Sequence, residues 1–97
     1  MKPAADRQLQ LLLARHAEKD LLSIPAEIRQ RIKSDILRLA DGQIPFAQLK
    51  KLHGFTPPIW QLTSGRFRVI YRREQEQLLI LRIVAKPDQR DLFRSLR

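Results

Sequence analysis

The clearest periodicity of apolar and polar residues in this chain is a helical one. Its apolar members recur at spacings of four, four and three, at Ile28, Ile32, Ile36 and Leu39. Most positions between them are charged, so the pattern predicts an amphipathic helix with one face in a core. Pro25 suits the first turn of that helix, and Gly42 suits its end because glycine accepts the left-handed conformation of a helix cap.

A second, shorter helix is predicted just upstream, over residues 14–22. Ser23-Ile24-Pro25 separates the two helices, which predicts a helix hairpin. Before it, residues 8–13 alternate polar and apolar side chains at first, as a half-buried strand does. The leucines of that segment also fit helical spacing, so a strand and a helix are both compatible with it. The polar residues 1–7 are expected to form a loose leader.

The second half of the chain changes to the alternation of strands. Strands are predicted at residues 59–63, 66–73 and 78–84, joined by short turns. Residues 43–58, between the helices and these strands, are predicted to be a linker with a basic middle. After Pro87, three apolar residues predict a short final helix, namely Leu92, Phe93 and Leu96.

The predicted order is strand, helix, helix, three strands and a short terminal helix. It indicates an α+β fold in which an N-terminal strand and the helix hairpin pack on an antiparallel sheet, as one domain over residues 1–97. The last long strand is apolar on nearly both faces, which is typical of a central strand. The second helix is predicted to pack on one face of the sheet, through Phe67, Val69, Tyr71, Leu79, Leu81 and Ile83.

The distribution of charge along the chain bears on function. The net charge is +9, of which residues 1–49 contribute +2 and residues 50–97 contribute +7. Concentrated positive charge is typical of a surface that binds phosphates, although it also keeps a protein soluble or pairs it with an acidic partner. The absence of cysteine and the two isolated histidines argue against a bound metal, and no cofactor is expected. No segment resembles a membrane span or a signal peptide, so the cytoplasm is the expected compartment.

The arginines of the second long strand follow its alternation. Arg66, Arg68 and Arg72 fall on one face, whereas the aromatic residues Phe67 and Tyr71 fall on the other. One face can therefore enter the core while the other offers fixed positive charge to a polyanion. A strand arginine can also be paired with a glutamate, so the pattern alone leaves a purely structural role open.

Several short motifs occur in an order that resembles a known family. In chain order they are Ala17-Glu18-Lys19-Asp20-Leu21, Lys51-Leu52-His53-Gly54, Trp60-Gln61-Leu62 and Gly65-Arg66-Phe67-Arg68-Val69-Ile70-Tyr71. Over about residues 8–93, their joint order and spacing resemble the RelE/ParE superfamily of bacterial and archaeal toxins.

The resemblance implies a compact α+β fold, whose sheet forms a cleft with the helices outside. It also implies a type II toxin held inactive by a cognate acidic antitoxin. Many RelE-like members cleave mRNA on the ribosome without a metal, whereas ParE-like members inhibit DNA gyrase, and the fold alone does not choose between them. A toxin relic that only binds its antitoxin is a third possibility. No membrane partner is expected.

The resemblance also assigns roles to residues. Arg68 falls on the central catalytic arginine of the family, where it would hold the scissile phosphate and stabilise the transition state. Lys86 or Arg90 would supply a second basic catalytic group. The residues expected to contact RNA are Lys50, Lys51, His53, Arg66, Arg72 and Phe93. The chain departs from the RelE pattern because Gln61 and Thr63 replace two lysines and Phe93 replaces a tyrosine, so the general base is left open.

Overall fold

A computed structural model gives the structure of this protein and describes residues 9–86. Its strands and helices, in chain order, are β1 (Gln10–Leu13), α1 (Arg15–Leu22), α2 (Ala26–Ala40), a 3-10 helix (Phe46–Gln48), β2 (Leu49–Leu52), β3 (Ile59–Ser64), β4 (Phe67–Glu74) and β5 (Gln77–Ala85). The predicted α+β fold is confirmed. The predicted leader at residues 1–7 and the predicted final helix around Leu92 lie outside the described residues.

The five strands form one sheet in the order β1-β5-β4-β3-β2. β1 runs parallel to β5, and the other neighbouring pairs are antiparallel. The N-terminal segment is thus a strand, which decides between the two conformations that its leucines allowed. The three strands predicted in the second half are confirmed, each with ends within one residue of the prediction. β5 lies between two neighbours, as its apolar character on both faces indicated.

The helix hairpin follows the predicted helix ends. Pro25 immediately precedes α2, and Gly42 follows it with a φ of +73°. The backbone N–H of Gly42 donates to Leu39 O at 3.0 Å, which satisfies a carbonyl at the helix end. The turn between the helices is held by Arg29, whose Nη2 donates to Ile24 O at 3.0 Å. Neither helix in the described part of the chain is long and apolar enough to cross a membrane.

The main core lies between the two helices and one face of the sheet, which we call the helix face. Three residues of the predicted α2 stripe are buried there, whereas Ile28, in the first turn, is 39% exposed. The strands contribute Leu62, Val69, Tyr71, Leu78, Ile80 and Ile83. Burying one large aliphatic side chain is worth about 1.5–3 kcal/mol, so this layer is a principal source of stability.

A β-bulge in β5 changes which of its residues enter the main core. Two consecutive residues of β4 pair with Arg82 and Ile80, so Leu81 is an extra residue on β5. The extra residue shifts the alternation of faces by one position. The prediction that Leu79 and Leu81 enter the core with α2 was therefore wrong, because Leu78 and Ile80 enter the main core instead.

The opposite face of the sheet, which we call the far face, has a smaller apolar cluster of its own. It consists of Leu52, Ile59, Ile70 and Val84, with Phe55 and Leu81 packed against them. Ile70, between two arginines of β4, is completely buried. The arginine-bearing face of β4 is therefore only partly polar, with charged residues around a buried apolar patch.

Asp20 joins α1 to the part of β5 that β1 leaves unpaired. β1 pairs with β5 only as far as Ile80. Beyond that point, the Asp20 carboxylate accepts a hydrogen bond from the Ile83 N–H at 2.9 Å. It also accepts hydrogen bonds from Arg82, at 2.7 Å from Nε and 3.2 Å from Nη2, and this pairing raises the pKa of the guanidinium. The Asp20 carboxylate thus accepts a hydrogen bond from a backbone N–H at the unpaired edge of β5 and holds α1 against that edge.

The segment predicted to be a linker contains an element that the prediction missed. β2 is an edge strand paired antiparallel with β3. Its sequence, Leu-Lys-Lys-Leu, lacks the alternation of a half-buried strand because each face receives one leucine and one lysine. Leu49 packs against the main core and Leu52 belongs to the far-face cluster. Lysines are common on edge strands, where they discourage pairing with other chains.

Candidate functional site

The far face presents rows of side chains, because residues paired across neighbouring antiparallel strands share a face. The first row is Thr63, Arg68 and Val84, the second includes Lys50, Gln61 and Ile70, and the third includes Arg72 and Leu79. Cationic side chains therefore stand at three levels along this face, beside buried apolar residues.

Arg68 is half-buried, and the turn between β3 and β4 fixes its position. Its Nη1 donates to Gly65 O at 3.1 Å and to Phe67 O at 3.0 Å. Neither acceptor is a carboxylate, and across residues 9–86 no Asp or Glu forms an ion pair with this guanidinium. Within that part of the chain, the donors on Nε and Nη2 remain for another acceptor. A guanidinium presents them in a fork that fits two phosphate oxygens.

Two further cations lie beside Arg68 at this end of the sheet. Arg66 is exposed in the two-residue loop between β3 and β4, and Lys86 is exposed directly after β5. The backbone N–H of Lys86 donates to Arg66 O at 3.2 Å, which places the two residues side by side. The structure thus brings three of the predicted site residues to one end of the sheet.

Two other predicted residues, Arg72 and His53, lie at the opposite end. Arg72 is four residues beyond Arg68 on β4, which separates their Cα atoms by about 13 Å at the usual rise of a strand. Its Nε is 2.9 Å from Glu74 Oε2, although without the alignment of a hydrogen bond. His53 is exposed in the loop that follows β2. These two residues do not belong to the cluster around Arg68.

β2 places the two predicted lysines on opposite faces of the sheet. Lys50 pairs with Gln61 and shares the far face with Arg68. Lys51 pairs with Trp60, which packs against the main core, and therefore belongs to the helix face. Only Lys50 can join Arg68 on one surface. Two more predicted site residues, Arg90 and Phe93, lie outside the described residues.

An apolar groove of about 340 Å³ lies on the helix face, away from Arg68. Its walls include Trp60, Tyr71 and Arg73, together with Phe46, which is 84% exposed. Burial raises the pKa of Tyr71 to about 12, and the positive charge of Arg73 opposes that shift. The phenol therefore stays protonated at neutral pH, on the face of the sheet opposite to Arg68.

The far face is better suited to binding an anion than to moving protons. Arg68 offers positive charge, and its row neighbour Thr63 and the buried Gln61 do not titrate near neutral pH. Guanidinium and ammonium groups stabilise the negative charge of a phosphate, but cations are poor general bases. Over residues 9–86, no three His, Cys, Asp or Glu side chains gather in a way that could hold a metal ion.

Two contacts that shape this end of the sheet were not predicted. Ser64 Oγ donates to Asp35 Oδ2 at 2.7 Å, which ties β3 to α2. Arg31, one turn earlier on α2, lies over Gly65, with its Cζ 3.6 Å from the position that a Cβ atom would take there. Nothing in the sequence distinguishes Arg31 from the other charged residues of α2, so only the packing of the helix against the turn reveals it.

Two helices packed on one face of a five-stranded, mostly antiparallel sheet match the fold of the RelE-like toxins. A chain of the archaeal RelE-RelB complex from Pyrococcus horikoshii OT3 is 20% identical, with a TM-score of 0.69 over 81% of this chain and 96% of that chain. The RelB-RelE complex from Methanococcus jannaschii gives 23% identity and a TM-score of 0.67, over 84% and 98%. A chain of the chromosomal ParDE system from P. aeruginosa is 22% identical, with a TM-score of 0.61 over 81% of this chain and 97% of that chain. At these identities the similarity shows the fold.

The family is shown by a match of sequence. The family model for the ParE toxin of the type II toxin-antitoxin system, parDE, matches residues 11–86. The chain therefore belongs to the ParE toxin family, within the RelE/ParE superfamily that its motifs resemble. No curated protein sequence matches it.

Proposed function

We propose that this toxin is a ribosome-dependent mRNA endonuclease of the cytoplasm, which needs no metal and is held inactive by a cognate antitoxin. Arg68 is the observation that carries the proposal. Two carbonyls orient its guanidinium, and no carboxylate in residues 9–86 neutralises it. Two more cations, Arg66 and Lys86, lie beside it. An oriented and unpaired guanidinium among other cations is suited to a phosphate of a nucleic acid.

In the proposed reaction, the 2′-oxygen of a ribose loses its proton and attacks the adjacent phosphorus. The bond from phosphorus to the 5′-oxygen breaks, which leaves a 2′,3′-cyclic phosphate and a 5′-hydroxyl that has taken up a proton. Arg68 would hold the non-bridging oxygens and stabilise the charge that grows on them in the transition state. Lys86 is the second catalytic cation in this proposal, together with Arg90 from beyond the described residues. We assign no described residue to the proton transfers.

The RNA contacts divide according to the faces of the sheet. Lys50 and Arg66 are retained as contacts, because the first shares the far face with Arg68 and the second lies beside it. Arg72 and His53, at the other end, would meet only an RNA segment that extends along the face. Lys51 belongs to the helix face and is dropped from the RNA surface. Phe93, outside the described residues, stays a candidate for stacking on a base.

Mapping of mRNA 5′ ends in cells that express the toxin without antitoxin tests this proposal. Arg68→Ala should reduce the cuts by about 100-fold or more, as expected when a principal donor to a developing oxyanion is lost. Arg73→Ala is the matched control, since it removes an arginine from the same strand but on the helix face. Its cuts should match the wild type. Cuts at fixed codon positions that persist in Arg68→Ala would refute the assignment of Arg68.

Inhibition of DNA gyrase is the second candidate function. Two observations favour it. The family model that matches is the ParE one, and the far face has Gln61 and Thr63 where RelE-like nucleases have lysines. A supercoiling assay with purified gyrase and a molar excess of toxin separates the candidates. Growth arrest without mRNA cuts, together with loss of supercoiling, would replace the nuclease proposal, whereas neither arrest nor cuts would indicate an inactive relic.

A further inference from the structure

The loop between β3 and β4 gathers more positive charge than the predicted site explains. Gly65 and Arg66 form this two-residue loop, and Gly65 has a φ of +60°. Arg31 of α2 lies over Gly65 in this loop. The Cζ and Nη1 of Arg31 lie 3.6 Å, and its Nε 4.0 Å, from the position of a Cβ atom on Gly65. The guanidinium of Arg31 therefore lies beside the hairpin.

The charge of Arg31 has no ion-pair partner among the described residues. Glu27 and Asp35 each lie one turn from Arg31 along α2, and neither is paired with it. Both oxygens of Asp35 are engaged with other residues. Oδ2 accepts the hydrogen bond from Ser64 Oγ at 2.7 Å, and Oδ1 lies 3.5 Å from Arg38 Nη1. Within residues 9–86, no carboxylate forms an ion pair with Arg31. Its guanidinium donors are thus suited to an anion that approaches from outside.

Cations from three parts of the chain surround the loop, namely Arg31, Arg66, Arg68 and Lys86. Arg68 belongs to the far face, Arg31 comes from the helix side, and Arg66 lies in the loop between them. The basic surface therefore continues round the tip of the hairpin and does not end at Arg68. A chain of phosphates can follow such a surface.

We propose that Arg31 is a second phosphate contact for RNA, on the helix side of the hairpin tip. The inference rests on the proposed RNA-directed function of Arg68 and adds a path for the substrate. RNA held by Arg68 on the far face crosses the loop at Arg66 and meets the guanidinium of Arg31. Arg31 takes no part in the chemistry in this view, because its role is to hold the RNA backbone.

Equilibrium binding of the purified toxin to a 2′-O-methyl single-stranded RNA, which it cannot cleave, tests the inference. Each phosphate contact on a single strand contributes about 0.7 to the slope of log affinity against log salt. Arg31→Gln should therefore lower the slope by about 0.7 and weaken binding about fivefold near 0.1 M salt. Arg31→Lys should keep most of the slope, because it keeps the charge.

Lys33→Gln is the matched control, since it removes an exposed charge from the same helix without touching the hairpin. Its slope should equal that of the wild type. Thermal unfolding of each variant, with midpoints equal to the wild type, excludes loss of folding as the cause.

The outcomes separate this inference from the proposed function. If Arg31→Gln matches Lys33→Gln with the oligonucleotide and also with ribosomes, while Arg68→Ala weakens binding, the inference on Arg31 is wrong and the proposed function stands. If none of these substitutions changes binding to the oligonucleotide or to ribosomes, the RNA-directed function fails as well. If Arg31→Gln weakens antitoxin binding alone, the hairpin tip is a protein contact and the inference is overturned.

Sedimentation with ribosomes distinguishes two sources of the phosphate. A loss seen with ribosomes and also with the free oligonucleotide supports a contact to the messenger RNA. A loss seen with ribosomes alone supports a contact to ribosomal RNA. Both results keep Arg31 as a contact to an RNA phosphate, whereas unchanged binding in both assays contradicts it.

Discussion

Arg68 and Tyr71 lie three residues apart on β4, and this odd spacing places them on opposite faces of the sheet. Tyr71 is the one tyrosine of the chain. Its hydroxyl cannot take the place, beside Arg68, of the tyrosine that RelE-like nucleases have near the C-terminus. It instead lines the apolar groove against the main core. The proposed anion contact and a residue of the main core thus lie on opposite faces of one strand.

We predict that Tyr71 makes the folded protein less stable in alkaline solution. Burial raises its pKa from 10.0 to about 12, so the folded state keeps a proton that the unfolded state has already lost. The contribution of the protonated Tyr71 phenol to the free energy of unfolding is complete below pH 10 and is lost as the pH rises through 12. The loss should be on the order of 2–3 kcal/mol, since one pKa unit corresponds to about 1.4 kcal/mol.

Urea unfolding of the wild type and of Tyr71→Phe between about pH 8 and pH 11.5 measures this effect. All other titratable groups are common to both proteins and cancel in the comparison. The wild type should lose more free energy of unfolding than the phenylalanine variant over this range. Parallel curves would show that the phenol titrates alike in both states.

A helix or strand could be predicted from the sequence where its pattern of apolar and polar residues lies within one short segment. The helix hairpin and strands β3 to β5 could be predicted, because their apolar periods and turn residues lie within single short windows. β2 could not be predicted, because its four residues do not alternate between apolar and polar side chains. Only its pairing with β3 makes it a strand. The bulge at Leu81 was equally hidden, since an apolar strand has no residue that marks the change of face.

The same distinction explains what could be predicted of the candidate site. Arg68 and Arg72 share a face, as their even spacing predicted, because they lie on one regular strand. Lys50 and Lys51 were grouped because the strand that separates them was not predicted. Arg31 lies far from the hairpin in sequence, and its contact with Gly65 depends on how α2 packs over the sheet. Tertiary packing of this kind leaves no local signal.

The turn between β4 and β5 carries a conformational cost that a substitution should relieve. Gln75, in its two-residue loop, has a φ of +54°. A left-handed conformation costs a residue with a side chain about 1–2 kcal/mol, whereas glycine adopts it readily. After allowing for the greater chain entropy of glycine, we expect Gln75→Gly to stabilise the protein by about 0.5–1 kcal/mol.

Glu76→Gly is the matched control for this prediction, because Glu76 occupies the other loop position without a positive φ. At that position glycine adds only its entropic cost, so the free energy of unfolding of this variant should fall by up to about 1 kcal/mol. Midpoints of thermal unfolding should therefore move in opposite directions for the two neighbouring substitutions. A midpoint lowered by both would contradict the conformational explanation.

The whole molecule presents two unlike surfaces on the two sides of one sheet. The helix side has the apolar groove with the exposed Phe46, and the far side has the cations around Arg68. Residues 50–97, which form most of the sheet, contribute +7 of the net charge of +9. Such a field accelerates the approach of an acidic partner and is screened by salt. If an antitoxin inhibits the toxin by covering its phosphate site, this field should govern how fast it binds.

We therefore predict that association with the cognate antitoxin slows at least tenfold between about 0.05 M and 0.5 M salt, while dissociation changes less. Lys50 and Lys51 identify the face that is covered, because they are neighbours of equal charge on opposite faces of β2. Stopped-flow measurements on Lys50→Gln should show a slower association with a weaker dependence on salt. Lys51→Gln should remain close to the wild type. The reverse order would place the antitoxin on the helix face and require inhibition without direct cover of Arg68.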